Sequence, residues 1–194
     1  EALTHGGIEN NTKVKINWIN AEKIETSELV KELKNVDGIL IPGGFGYRGV
    51  EGKILAINFA RKNNIPFFGI CLGMQLSVIE IARNVFDLSD SNSTEFQSTK
   101  NPVVSLMTEW QNKNKIEKRD QASDKGGTMR LGAYKAILKK DSKVSEIYNE
   151  TEISERHRHR YEVDLSHTKD FDKKGFHFSG MSPDKVLPEV LESA

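Results

Sequence analysis

The chain has 194 residues, with 28 basic and 28 acidic side chains, so its formal net charge is zero. That balance excludes a general nucleic-acid binder, which needs a basic excess to neutralise phosphates. A single cysteine excludes an internal disulfide and fits a reducing, cytoplasmic setting, and no apolar run approaches the ~20 residues a bilayer span needs. The length suits one domain with its own core. The N-terminus, Glu-Ala-Leu-Thr-His-Gly-Gly, has no starting Met and no charged or apolar leader. It reads as the beginning of a piece of something longer.

Val14, Ile16 and Trp18 alternate with Lys13, Lys15 and Asn17, which predicts a strand with one wetter face. Glu28 to Leu33 is predicted to be a short helix capped by Ser27 or Thr26. Asp37-Gly38 is a turn, and Ile39-Leu40-Ile41 is a buried strand stopped by Pro42 and Gly43-Gly44. Val50, Ile54 and Ile57 have helical spacing, and Asn63-Asn64 ends that helix. Ile65 to Ile70 is a second buried strand. From Leu72 to about Asn84 two apolar rows, Leu72/Leu76/Ile79 and Met74/Val78/Ile81, predict a central helix covered on both faces. The alternation of strand and helix argues for an α/β fold with a mostly parallel central sheet flanked by helices, in flavodoxin-like layers.

The second half is less regular. Asp87 to Lys100 reads as a loop, Val103–Met107 as a short strand, and Gln111 to Gly127 as a polar surface loop. Ala133 to Lys139 and Tyr161 to Val163 are candidate strands. There is no internal repeat.

The chemistry concentrates in two loops that follow strands. Gly69-Ile70-Cys71-Leu72-Gly73 is a G-x-C-x-G between a buried strand and a helix, the nucleophile-elbow context with cysteine in place of serine. The glycines permit a sharp turn that lifts the sulfur above the sheet. The helix N-terminus behind it favours thiolate over thiol. The Leu72 N–H points where an oxyanion would form. A lone cysteine is ordinarily an inert core thiol; the elbow spacing outweighs that here. Pro42-Gly43-Gly44-Phe45-Gly46-Tyr47-Arg48-Gly49 is the second loop. It lacks the G-K-[ST] ending of a phosphate loop and the spacing of a dinucleotide fingerprint. A nucleophile beside a glycine loop with free N–H groups suggests acyl transfer at the carboxyl end of the sheet.

These two segments, Ile41 to Gly52 and Gly69-Ile70-Cys71-Leu72-Gly73-Met74-Gln75, resemble the class I glutamine amidotransferases. Further motifs narrow the resemblance to the CTP synthases: Asn92-Ser93-Thr94-Glu95-Phe96, Thr108-Glu109-Trp110, Gly126 to Gly132, and Glu155-Arg156-His157-Arg158-His159-Arg160-Tyr161-Glu162-Val163. The resemblance runs from about Glu1 to Glu192. It implies that Cys71 is the nucleophile, and that Gly44 and Leu72 supply the oxyanion-hole N–H groups. Gln75 and Glu95 would help hold L-glutamine, and Arg160 would bind its α-carboxylate with its fork of donors. Arg119 would lie in a loop that responds to GTP, the allosteric activator. It also implies no metal or cofactor in this domain, with Mg and ATP acting in a synthetase domain of the same polypeptide, and a homo-tetrameric parent. Without the resemblance, Glu95 reads as a solvated charge and the Arg156–Arg160 run as a basic patch, though its flanking Glu152, Glu155, Glu162 and Asp164 nearly balance it.

One departure stands out. The family takes its base and orienting carboxylate from a His-Pro-Glu motif on a late strand, and residues 1–194 contain no His-Pro-Glu. The five histidines are His5, His157, His159, His167 and His177, and neither His157 nor His177 is promoted to that role. The reading is therefore of a 1–194 amidotransferase domain lacking its first strand and its late His/Glu segment, weak or inactive as a glutaminase alone. Two rivals remain: another cysteine-elbow hydrolase, which would not need Glu95 or Arg160, and a dead domain that binds glutamine or a partner as a sensor.

Overall fold

The computed structural model describes residues 1–22, 26–106, 109–112, 115–118 and 129–193. The first half runs α1 (Ala2–Glu9), α2 (Thr26–Leu33), β1 (Ile39–Ile41), α3 (Val50–Lys62), β2 (Phe67–Gly69) and α4 (Leu72–Val85). β1 and β2 pair in parallel, with Ile39 opposite Phe67 and Ile41 opposite Gly69. Central position explains α4: Leu76, Val78, Ile79 and Ala82 are fully buried, so both of its apolar rows face protein. α3 lies beside it through Ile54, Ile57 and Ala60. The buried Glu80 of α4 is gripped by Arg61 and Asn58 of α3 and by Asn84. Its negative charge is thereby met by donors on several sides, which a buried carboxylate requires.

The second half adds β3 (Asn92–Ser93), β4 (Pro102–Leu106), β5 (Glu109–Asn112), β6 (Lys115–Lys118), β7 (Arg130–Leu138), α5 (Lys143–Tyr148), β8 (Glu152–His159), β9 (Tyr161–Val163), β10 (Phe176–Met181) and β11 (Pro188–Ser193). β3, β4 and β9 form one small sheet, and β11-β10-β7-β8 another whose described pairs are all antiparallel. The α/β class stands. Among the described residues, however, parallel pairing is confined to β1–β2 and β3–β4, and the largest described sheet is antiparallel. Both halves share one core, in which Val103, Val104, Val163, Phe171 and Phe176 join the α3–α4 cluster.

Several expectations need correction. The segment around Val14, Ile16 and Trp18 alternates in polarity, yet it forms no strand and all three side chains are exposed, Trp18 at 89%. Alternation specifies a strand only where a neighbouring strand can take its hydrogen bonds, and no described strand lies against it. The described part of α2 begins at Thr26. Within the expected loop after Gln111, β5 and β6 form a hairpin with Glu109 opposite Lys118. Residues 119–128, which include Arg119 and Gly126-Gly127-Thr128, lie outside the described residues, as does Thr108.

Candidate active site

The elbow is built by close approach of backbone. After β2 the Ile70 N–H donates to Ile41 O (2.9 Å), which brings the turn against the end of β1. A side chain on Gly69 would sit 2.6 Å from the Gly73 carbonyl carbon, and one on Gly73 would sit 2.3 Å from Ile41 O. Neither distance admits a Cβ, so both glycines of the G-x-C-x-G are required by space. Cys71 itself takes φ 55° and ψ −106°, a conformation that L-residues avoid, and caps the N-terminus of α4. Strain of this kind persists only where the surroundings over-determine it, and it concentrates at functional sites.

Around the sulfur the expected donors converge. The backbone N–H groups of Leu72 and Gly44 both hydrogen-bond the Cys71 thiol, and Gly43 packs directly on it, its would-be Cβ 3.8 Å from Sγ. Burial pushes the thiol up, but the hydrogen bond and charge of His159, together with those two N–H groups, outweigh burial and hold it below its ordinary value. Cys71 is only partly buried, so a ligand can reach it.

The other predicted residues surround this point through β9 and the glycine loop. The Gln75 side-chain amide, one turn along α4, donates to Tyr161 O (2.7 Å), tying the nucleophile helix to the start of β9. Glu95 accepts the Gly46 N–H (2.7 Å) and so fixes the glycine loop. Arg160 precedes Tyr161 in the β8–β9 connection, and its Nε is buried with no hydrogen-bond partner. A buried cationic donor left unpaired is costly, and an anionic ligand would satisfy it. A shallow hollow lined by Lys140, Asp141, Ser145, Asn149 and Thr151 contains none of these residues.

Sequence reasoning missed His159 and Glu162. His159 hydrogen-bonds the Cys71 thiol, and its Nδ1 lies 3.1 Å from Glu162 Oε1. Burial pushes His159 down, but the thiol and the Glu162 carboxylate more than reverse this and raise it to about 10. The two neighbouring shifts, sulfur lowered and imidazole raised, are coupled and have the same cause, each group favouring the charged form of the other. Behind it, Arg130 contacts Glu162 Oε1 (3.4 Å) and binds Glu189 of β11, all three nearly fully buried. His157 stands 3.5 Å from Glu189 but makes no hydrogen bond through Nδ1. Burial and the charges of Arg130 and His159 push it down to about 4, so it is neutral and its contact with Glu189 is no ion pair. His177 pairs instead with exposed Asp172. A cue was present: along Arg156 to His159 every second residue is a histidine, and in β8 the histidines face inward while Arg156 and Arg158 face out.

A strained cysteine elbow with two N–H groups and an imidazole beside its sulfur is the kind of arrangement that acyl transfer by a cysteine nucleophile requires. Comparison with known proteins gives the lineage. The glutamine amidotransferase class-I family profile matches residues 1–193, and the chain belongs to that family. It is 58% identical over 193 residues to the CTP synthase of Rhodopseudomonas palustris (strain BisA53), covering 99% of this chain and 36% of that protein. It is 59% identical over 192 residues to the CTP synthase of Rhizobium etli (strain CIAT 652), covering 99% and 35%. Among solved structures, the Trypanosoma brucei CTPS glutaminase domain with bound acivicin superposes with a TM-score of 0.83 at 37% identity, covering 97% of this chain and 71% of that one. The chain thus spans about 35% of the length of these curated relatives.

Proposed function

We propose that residues 1–194 act as the glutaminase domain of a CTP synthase. The observation that carries the reading is the convergence of the Gly44 and Leu72 N–H groups on the sulfur of Cys71 in its strained elbow. The thiolate attacks the carboxamide carbon of L-glutamine. The tetrahedral oxyanion forms where those N–H groups point, a placement worth roughly 3 kcal/mol per donor to such a step. An acid beside the sulfur protonates the leaving nitrogen, the C–N bond breaks and ammonia departs. Water then cleaves the glutamyl thioester, releasing glutamate and restoring the thiolate.

The substrate's other end accounts for the polar residues nearby. Arg160 would take the α-carboxylate on its unpaired Nε, and Glu95 would face the α-ammonium while still holding Gly46. Gln75 would hold glutamine and fix the corner that carries Arg160. The relative bound to acivicin, a glutamine analogue, is consistent with this pocket. The ammonia would pass to a synthetase domain of the same polypeptide, where ATP and Mg activate UTP for amination to CTP. GTP activation through Arg119 and a homo-tetrameric parent belong to the same proposal and rest on the family likeness. So does a cytoplasmic location, supported by a nucleophile that must remain a free thiol.

The test is ammonia release by the polypeptide that carries this chain, with L-glutamine and with its analogue lacking the α-amino group. L-glutamine alone should be hydrolysed efficiently; equal rates would favour a general cysteine-elbow hydrolase. Arg160→Ala should raise KM for glutamine about 10- to 100-fold, matching the loss of one charge-assisted carboxylate bond, with kcat changed far less. A fall in kcat at constant KM would remove Arg160 from the binding role.

A further inference from the structure

We propose that Glu95, besides meeting the substrate ammonium, is a positioning residue for the oxyanion hole: it latches the glycine loop and so couples recognition of the α-amino group to the reacting carbon. The inference deepens the glutaminase reading and rests on it, but the latch itself can be measured without glutamine.

The glycine loop is held near each end of its Gly43–Gly46 stretch. Gly43 packs on the elbow, its would-be Cβ 3.4 Å from the Cys71 Cβ, and Gly44 packs on the Leu72 side chain. Three residues beyond Gly43, the Gly46 N–H donates to Glu95 Oε1 at 2.7 Å. Among the described residues, Gly43 to Gly46 make no backbone–backbone hydrogen bond, so secondary structure does not fix the Gly44 N–H between them. Gly46 takes φ 76°, and its would-be Cβ meets nothing within 4 Å, so the loop has room to shift there. Arg158 lies over the exposed Phe45 ring, 5.5 Å from its centroid, a loose second contact. The short bond to a carboxylate is the stronger restraint.

Glu95 is anchored where the loop is not. Its own N–H donates to Ser93 Oγ (3.1 Å), and Ser93 is fully buried. The Thr94 N–H donates to Val104 O (3.0 Å), and the Leu106 N–H donates to Thr94 Oγ1 (3.2 Å), which ties this corner to β4. The carboxylate therefore projects from a fixed backbone, and its remaining freedom is rotation of the side chain. It has two oxygens. Oε1 is engaged by Gly46, and Oε2 is left for the substrate ammonium. An ammonium held on Oε2 removes the rotation and keeps Oε1 on Gly46. Binding energy from a group remote from the breaking bond is then used at the reacting centre, where it places the Gly44 N–H for the oxyanion. A glutamine analogue without the α-amino group leaves the carboxylate free to turn, and it should lose kcat as well as affinity.

The experiment compares Glu95→Gln with Glu95→Ala in the polypeptide that carries this chain. Both remove the charge that meets the ammonium, but the glutamine amide oxygen can still accept the Gly46 N–H. Ammonia release gives kcat and KM, and hydrogen–deuterium exchange of residues 43–49 without glutamine reports the latch. The expected result is a raised KM in both variants, with kcat lower in Glu95→Ala than in Glu95→Gln by about ten- to a hundredfold, the effect of a displaced oxyanion donor. Loop exchange should quicken about tenfold or more in Glu95→Ala and stay nearer the parent in Glu95→Gln. Where Glu95→Ala folds poorly, Glu95→Asp serves the same comparison: it keeps the charge but is one methylene short of Gly46, and it should share the loss of kcat and the faster exchange. Equal kcat in the acceptor-keeping and acceptor-lacking variants, or unchanged loop exchange in a folded acceptor-lacking one, overturns the proposal and leaves Glu95 as an ammonium contact alone. Failure of the parent to release ammonia defeats the glutaminase reading itself, a result distinct from either of these.

Discussion

Gly73→Ala should lower stability by roughly 2–4 kcal/mol and abolish the special reactivity of Cys71. The added Cβ would lie 2.3 Å from Ile41 O and close to the Ile41 side chain as well. Both obstacles belong to β1, which is itself paired to β2 along its length. Neither can retreat as the tip of a flexible side chain would. Relief therefore requires moving α4 away from the sheet or opening the β1–β2 pair. Either movement withdraws the Leu72 and Gly44 N–H groups from the sulfur. For a domain of this size the melting temperature should drop by about 5–15 °C. Alkylation of Cys71 at neutral pH should slow toward that of an ordinary thiol. Thermal unfolding with iodoacetamide kinetics on the same sample checks both halves; a variant that melts normally and alkylates at the parent rate would show that the elbow does not depend on this contact.

Cys71→Ser should leave the fold almost unchanged and reduce glutamine hydrolysis by about 10^4-fold or more. Serine is nearly isosteric, and the positive φ at this position strains either residue alike. The chemistry is what differs. At neutral pH a serine hydroxyl cannot share the thiol's ease of ionisation, so the nucleophile becomes weak. The contrast between the two variants matters: one should lose reactivity through geometry and stability together, the other through the atom alone. A Cys71→Ser protein that melts within a few degrees of the parent yet retains substantial glutaminase activity would remove Cys71 from the chemistry.

The parts of this molecule that were legible in the sequence are those whose determinants are local. The G-x-C-x-G and the glycine run after β1 signal sharp turns in the sequence itself, and in the fold the two segments pack on one another, Gly73 against Ile41 and Gly43 against Cys71. The two apolar rows of α4 likewise announce a helix buried on both faces. His159 and Glu162 were not legible in the same way. Their placement depends on β7 pairing with β8 in one register, which sets Arg130 beside His159 across a separation of 29 positions in the chain. The inward alternation of His157 and His159 is the available signal, and the flanking arginines mask it with charge. The Val14–Trp18 segment failed for the opposite reason: its alternation is real, but no described strand supplies the hydrogen bonds that would make it a strand. The antiparallel β11-β10-β7-β8 sheet rests on such long-range pairing throughout.

The central claim is that Cys71 attacks glutamine. Its most direct test is labelling with the glutamine-mimicking electrophile 6-diazo-5-oxo-norleucine, followed by mass mapping, on the polypeptide that carries this chain. The expected result is a single adduct at Cys71 whose formation L-glutamine suppresses. A folded, alkylation-competent protein in which Cys71 stays unlabelled, or is labelled at the same rate with and without glutamine, would contradict the claim.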